Sequence, residues 1–256
     1  MKITLLQHDI PWKGGAAWLP RLEELMPGLG ETDLVVLPEM FATGFCMDSA
    51  DIAEPENGAV WQWMRRVADS RGYAVAGSVA VACVDGGYRN RFYFVRPGGQ
   101  TDCYDKRHLF TYGSEQRSYE PGNGRTVVEY RGARILLQVC YDLRFPVWSR
   151  NDGDCPYDVA LYVASWPESR IAVWDLLLRA RAVENQCYVA GVNRVGSDPL
   201  CQYTGHSVLV DAYGKVVTDC GNAETAVTAE LDLERLHAFR KKFPVLADAD
   251  KFRIDD

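Results

Sequence analysis

The stretch Ile135-Leu136-Leu137-Gln138-Val139-Cys140-Tyr141-Asp142-Leu143-Arg144-Phe145-Pro146 changes character in its middle. Ile135 to Val139 is a short apolar run, the pattern of a buried strand. It stops at Cys140, and Pro146 suits the first turn of a helix because its φ is already helical. A strand handing over to a helix puts Cys140 at the carboxyl end of a strand, where α/β proteins place their ligands. A thiol at such a junction can be partly exposed, with its pKa lowered by nearby positive groups. Taken alone, Cys140 reads equally as the last core residue of its strand, since Cys packs as a small hydrophobe.

The same alternation extends in both directions. Ile3–Leu6, Leu34–Leu37 and Tyr73–Val81 read as strands, and Arg91–Arg96 with Thr101–Asp105 reads as a hairpin about Pro97-Gly98-Gly99-Gln100. Helical spacing covers Ala16–Leu29, with Pro20 and Pro27 blurring its ends, and Val60–Arg71, where Val60, Trp61, Met64, Val67 and Ala68 share a face. On the other side, Val159–Ala164, Tyr188–Val192 and Ala226–Leu231 read as strands. Ser207–Asp211 and Val216–Asp219 flank the turn Ala212-Tyr213-Gly214-Lys215. Ile171–Gln186 is the strongest helix, with Val173, Leu176, Leu177, Ala180 and Val183 as its apolar face, and Leu233–Lys242 is a short last one. No linker or short-period repeat divides the chain, so residues 1–256 are expected to form a single α/β domain, a sheet core covered by helices.

Composition excludes several classes. The chain has 256 residues, 47% hydrophobic and 25% charged, which is globular rather than disordered or low-complexity. A net charge of −7 argues against a general nucleic-acid binder, though a few local cations suffice for a small anion. No run reaches the roughly 20 apolar residues of a membrane span, and the start lacks the apolar core of a secretion signal. A cytoplasmic location is therefore expected, with the eight cysteines as free thiols. They show no CxxC and no zinc spacing, so no metal is expected, and a thiol redox protein has only the cysteine count in its favour.

Two further segments could carry chemistry. Leu37-Pro38-Glu39-Met40-Phe41 puts a carboxylate directly after a buried strand, and Tyr104-Asp105-Lys106-Arg107-His108-Leu109-Phe110 puts a Lys after a hairpin. A fixed ammonium can stabilise a new oxyanion, and a partly buried carboxylate can serve as general base. Glu39 and Lys106 each read in isolation as solvated loop charges. None of His8, His108, His206 and His237 sits in a Cys-His pattern, so a Cys140 nucleophile would need a carboxylate base. Asp142 reads as a cap of the following helix or the partner of a nearby Arg. Asp154-Cys155-Pro156 reads as a surface turn.

Together, Pro38-Glu39, Lys106 to Phe110 and Cys140 to Pro146 resemble, in order and spacing, the nitrilase (carbon–nitrogen hydrolase) superfamily. Tyr119-Glu120-Pro121-Gly122, Arg179 to Gln186 and Gly205-His206-Ser207 extend the likeness from Ile3 to about Leu231. Phe41 to Phe45, Ala164-Ser165-Trp166-Pro167 and Gly191 to Gly196 are similar to the bacterial ω-amidase-type branch, whose members hydrolyse the terminal amide of ω-amido 2-oxo acids such as 2-oxoglutaramate. The resemblance implies a four-layer α-β-β-α sandwich, commonly paired through its helical layer into homodimers or larger assemblies. It implies a catalytic Glu39, Lys106 and Cys140, with a second active-site Glu that Glu115 matches best and for which Glu120 competes. It implies no organic cofactor and no metal. Tyr141 would donate its backbone N–H to the oxyanion, Arg144 would meet a substrate carboxylate or serve the fold, and Trp166 would be a pocket wall or core. The same three residues serve aliphatic nitrilases and N-carbamoyl hydrolases, and a non-catalytic oligomeric binding protein could keep the fold.

Overall fold

The computed structural model describes every residue except Leu29, Asp152, Asp154, Cys155, Arg253, Asp255 and Asp256. The turn read at Asp154-Cys155-Pro156 and the end of the helix read at Ala16–Leu29 therefore lie outside the described residues.

The first half of the chain supplies strands β1 (Lys2–Gln7), β2 (Leu34–Val36), β3 (Glu54–Pro55), β4 (Ala74–Ala82), β5 (Tyr88–Val95) and β6 (Thr101–Asp105). The second half supplies β7 (Val127–Tyr130), β8 (Ala133–Val139), β9 (Val159–Ala164), β10 (Tyr188–Asn193), β11 (Val195–Ser197), β12 (Gln202–Thr204), β13 (Val208–Val210), β14 (Val216–Asp219) and β15 (Thr225–Glu230). One sheet runs β15-β1-β2-β4-β5-β6, with β3 also on β4, and the other runs β14-β13-β10-β9-β8-β7. The centres β1-β2-β4 and β8-β9-β10 are parallel, and the flanks are antiparallel. Parallel strands buried on both faces read as apolar runs, unbroken in Leu34 to Leu37 and interrupted only by the buried Gln138 in Ile135 to Val139.

Side chains alternate between two cores. In β8 and β9, Ile135, Leu137, Val139, Val159, Leu161 and Val163 face the other sheet and meet Ile3, Leu5, Leu34 and Val36 there. Their neighbours Leu136, Ala160, Tyr162 and Ala164 face outward onto helix α4 (Ile171–Glu184), which buries Trp174, Leu178 and Ala182 against them. On the opposite outer face, helices α1 (Leu19–Glu23) and α3 (Ala59–Arg71) cover Val35, Leu37, Val75 and Val95. Burying each such side chain contributes about 1.5–3 kcal/mol, so a slip of one residue in any central strand would be costly. Helix, sheet, sheet and helix form four layers. Two shorter helices, α2 (Ser49–Ile52) and α5 (Leu233–Lys242), complete the set.

Three local expectations need correction. The reading at Ala16–Leu29 resolves into a 3-10 turn at Gly15–Trp18 and the five-residue α1, with Pro20 in its first turn. No helix begins at Pro146; instead Cys140–Arg144 winds as a 3-10 turn directly off β8. Helix α4 forms as read but is rotated: Trp174, Leu178, Arg181 and Ala182 face the sheet, whereas Leu176 is 67% and Val183 50% exposed. Apolar residues lie on nearly every face of α4, so its periodicity does not fix its phase. Gly191 of β10 does, because a Cβ there would sit 2.5 Å from Leu178 and 2.8 Å from Trp174.

Candidate active site

Three strand ends meet at one rim. Glu39 follows β2, Lys106 follows β6 and Cys140 follows β8, and the polar ends of all three segments are drawn together between the sheets. Glu39, Lys106 and Glu115 are fully or almost fully buried. Lys106 Nζ donates to Glu39 Oε1 at 2.8 Å and to Glu115 Oε1 and Oε2 at 3.0 and 2.9 Å. Asn90 Nδ2 donates to Glu39 Oε1 at 2.8 Å and more weakly to Glu115 Oε1 at 3.3 Å. The Ser165 N–H donates to Glu39 Oε2 at 2.9 Å, and the Phe110 N–H to Glu115 Oε2 at 2.6 Å. Both carboxylates thus receive hydrogen bonds from every side, which is what allows two of them to be buried beside one ammonium. Glu120 is exposed and pairs instead with Arg89.

Cys140 is half-buried and has φ +43°, in the left-handed region that side chains other than Gly rarely adopt. Met40, next to Glu39, has φ +45°. Strain of about 1–3 kcal/mol at such positions persists only where the surroundings enforce it. Here Asp142 is one enforcer. Its Oδ2 accepts from the Val139 N–H at 2.9 Å and from Tyr104 Oη at 2.8 Å, and its Oδ1 accepts from the N–H and Nδ1 of His108. Asp142 therefore neither caps a following helix nor pairs with an Arg; it ties the Cys140 turn to the Lys106 segment.

The expected lowering of the Cys140 pKa is reversed. Burial pushes the thiol well above its ordinary value, and the adjacent Glu39 carboxylate adds to this, while Lys106 opposes them. Burial alone would lower the Lys106 ammonium, but Glu115 and Glu39 more than compensate and hold it charged. Burial raises Glu115, against the pull of Lys106.

A cavity of about 310 Å³ opens onto Cys140 and Lys106. Tyr141, Arg144 and Trp166 line it, as do Phe45, Phe110 and Tyr112. The Arg144 guanidinium lies 4.9 Å from the centre of the Trp166 ring. Trp166 is both wall and core: it touches Trp174, and its backbone is clamped by Asn193, which accepts from the Trp166 N–H at 2.7 Å and donates to its carbonyl at 2.9 Å. The loop joining β11 and β12 closes one side with Leu200 and Cys201. Sequence reasoning missed Asn90, Ser165, Arg170 and this loop. Asn90 and Ser165 meet Glu39 across 51 and 126 residues, and Arg170 and the loop reach the cavity only once the chain is folded. Among the described residues, no group of three or more His, Cys, Asp or Glu side chains could hold a metal ion, and no helix is long and apolar enough to cross a membrane.

The carbon–nitrogen hydrolase family model matches residues 2–241. The chain belongs to that family. The omega-amidase YafV of Escherichia coli K12 is 47% identical over 256 residues, covering 99% of this chain and 98% of that protein. The 2-oxoglutaramate amidase of Bacillus subtilis is 33% identical, covering 97% of each. The crystal structure of XC1258 from Xanthomonas campestris, a CN-hydrolase superfamily protein with an arsenic adduct in its active site, superposes with a TM-score of 0.94 at 39% identity, covering 100% of this chain and 99% of that one. This carbon–nitrogen hydrolase is thus an enzyme with the nitrilase-type α-β-β-α sandwich that its motifs imply.

Proposed function

We propose that this carbon–nitrogen hydrolase is a cysteine amidase that releases ammonia from the terminal amide of a small ω-amido 2-oxo acid resembling 2-oxoglutaramate. One observation carries the reading: Cys140 and Lys106 line a cavity whose wall holds the Arg144 guanidinium, with the buried Glu39 bonded to Lys106 behind them. The names of the two relatives point to the same substrate class.

The resting thiol keeps its proton. As Sγ attacks the amide carbon, Glu39 accepts that proton, and the carbonyl oxygen becomes an oxyanion held by Lys106 and the Tyr141 N–H. Glu39 then protonates the amide nitrogen, the C–N bond breaks, and ammonia leaves a thioester on Cys140. Water gives a proton to Glu39 and attacks the thioester, and the thiol is regenerated as the acid departs. Glu115 positions Lys106. Arg144 attracts the substrate carboxylate and Trp166 walls the cavity.

The test is ammonia release from 2-oxoglutaramate beside asparagine, glutamine, an aliphatic nitrile and an N-carbamoyl amino acid. Selective turnover of 2-oxoglutaramate, reduced at least about 10⁴-fold in Cys140→Ala, is expected. Turnover of the nitrile, or carbon dioxide released with ammonia, would move the substrate class. An active Cys140→Ala protein would overturn the mechanism.

We further propose that the enzyme is a homodimer or larger homo-oligomer joined through the outward face of α4, where Leu176 and Val183 stand exposed.

A further inference from the structure

The cavity is electrically lopsided. At its floor one ammonium, Lys106, lies between the carboxyl groups of Glu39 and Glu115. With both ionised the cluster carries one net negative charge, and with one protonated it is neutral. Neither state attracts an anion. The wall is different, because two guanidiniums line it, Arg144 and Arg170. Arg144 stacks over Trp166 and Arg170 over Phe110, 5.4 Å from the ring centre. Among the described residues, neither has a carboxylate within ion-pair distance. The acid that shares this cavity lining, Asp198, is already engaged: it accepts from the Leu200 and Cys201 N–H groups and from Tyr203 Oη.

Arg170 is also held in place. The Trp166 indole N–H donates to the Arg170 carbonyl at 2.9 Å, folding Glu168–Arg170 back as a 3-10 turn. Its head rests on Phe110, whose N–H fixes Glu115. Aromatic faces orient a guanidinium without neutralising it.

We propose that Arg170 is a specificity-determining residue that binds the carboxylate of the substrate together with Arg144. The proposal rests on the amidase reading above and adds the side chain that selects acids among amides. The two cations draw the anionic end to the wall, and the floor leaves room only for a neutral end. An ω-amido acid thus enters with its amide toward Cys140 and not reversed.

The experiment compares kcat/KM for 2-oxoglutaramate with that for butyramide, which lacks the carboxylate, in the wild type, Arg170→Gln and Arg170→Lys. A charge-assisted contact of this kind is worth about ten- to a hundredfold. The ratio of the two kcat/KM values should fall by that factor in Arg170→Gln, chiefly through KM for 2-oxoglutaramate, and recover in part in Arg170→Lys. Competitive inhibition by glutarate should weaken in parallel. A ratio that moves less than about threefold, with glutarate inhibition intact, would overturn the role of Arg170 alone. A wild type that turns over butyramide but not 2-oxoglutaramate would overturn the substrate reading as well.

Discussion

Glu115 receives only donors. Its Oε1 faces Lys106 and Asn90, and its Oε2 faces Lys106 and the Phe110 N–H. A Gln at this position must turn its NH₂ toward one of these donors, so Glu115→Gln is expected to lower stability by about 1–3 kcal/mol, read from the urea midpoint. It also frees Lys106 to move toward Glu39, away from the oxyanion, and kcat should drop about 10²-fold. A normal kcat with a lowered midpoint would leave Glu115 a purely structural role. Glu39, Lys106 and Cys140 were legible in the sequence because each directly follows a strand signal and their motifs keep a family order. Asn90 was not, because an Asn within a strand carries no pattern, and Ser165 stands in a motif without a role, until Glu39, 51 and 126 residues away, is folded against them.

The decisive element is the turn Cys140–Arg144. The sequence showed that β8 ends at Val139, but the left-handed Cys140 and the 3-10 winding depend on Asp142 and its partners across the sheets. Asp142→Asn is expected to break this tie. One amide oxygen cannot replace two carboxylate oxygens that together accept four hydrogen bonds, and the NH₂ would oppose the donors on its side. A stability loss of about 1–3 kcal/mol should accompany a fall in kcat of at least about tenfold, since Cys140 and Lys106 both lose their alignment. Thermal unfolding with steady-state kinetics checks this, and intact kcat would show that the turn holds itself. The other elements divide along similar lines. Strands with unbroken apolar runs and hairpins with Gly-rich turns were readable from local signals. The short β3, β11 and β12 were not, because unlike the equally short β2 and β13 they carry no apolar run and exist only through their pairing. The phase of α4 escaped for the converse reason: its apolar residues surround the helix, and the glycine that selects a face lies on another strand.

At the scale of the molecule, the two halves of the chain share one core, and β15 returns to pair with β1 over Lys2 to Gln7. That closure leaves α4 on the outside of the second sheet, with Leu176 and Val183 exposed on either side of Arg179. Leu176 and Val183 lie two turns apart on α4, and a Cβ on Gly214 would meet Val183, so the β13–β14 turn adjoins the helix. Tyr213 in that turn packs on Phe239, which neighbours Phe243. Tyr213 and Phe243 are 57% and 58% exposed, so exposed apolar side chains recur from α4 to α5. In the proposed dimer, a two-fold axis through α4 would cover these exposed side chains with their own copies. The wild type should therefore elute as a dimer or larger by light scattering. Leu176→Asp combined with Val183→Asp should shift it to the monomer while far-UV circular dichroism is retained, because neither side chain supports the core. A monomeric wild type would overturn the proposed assembly, and a double variant of unchanged mass would place the interface elsewhere.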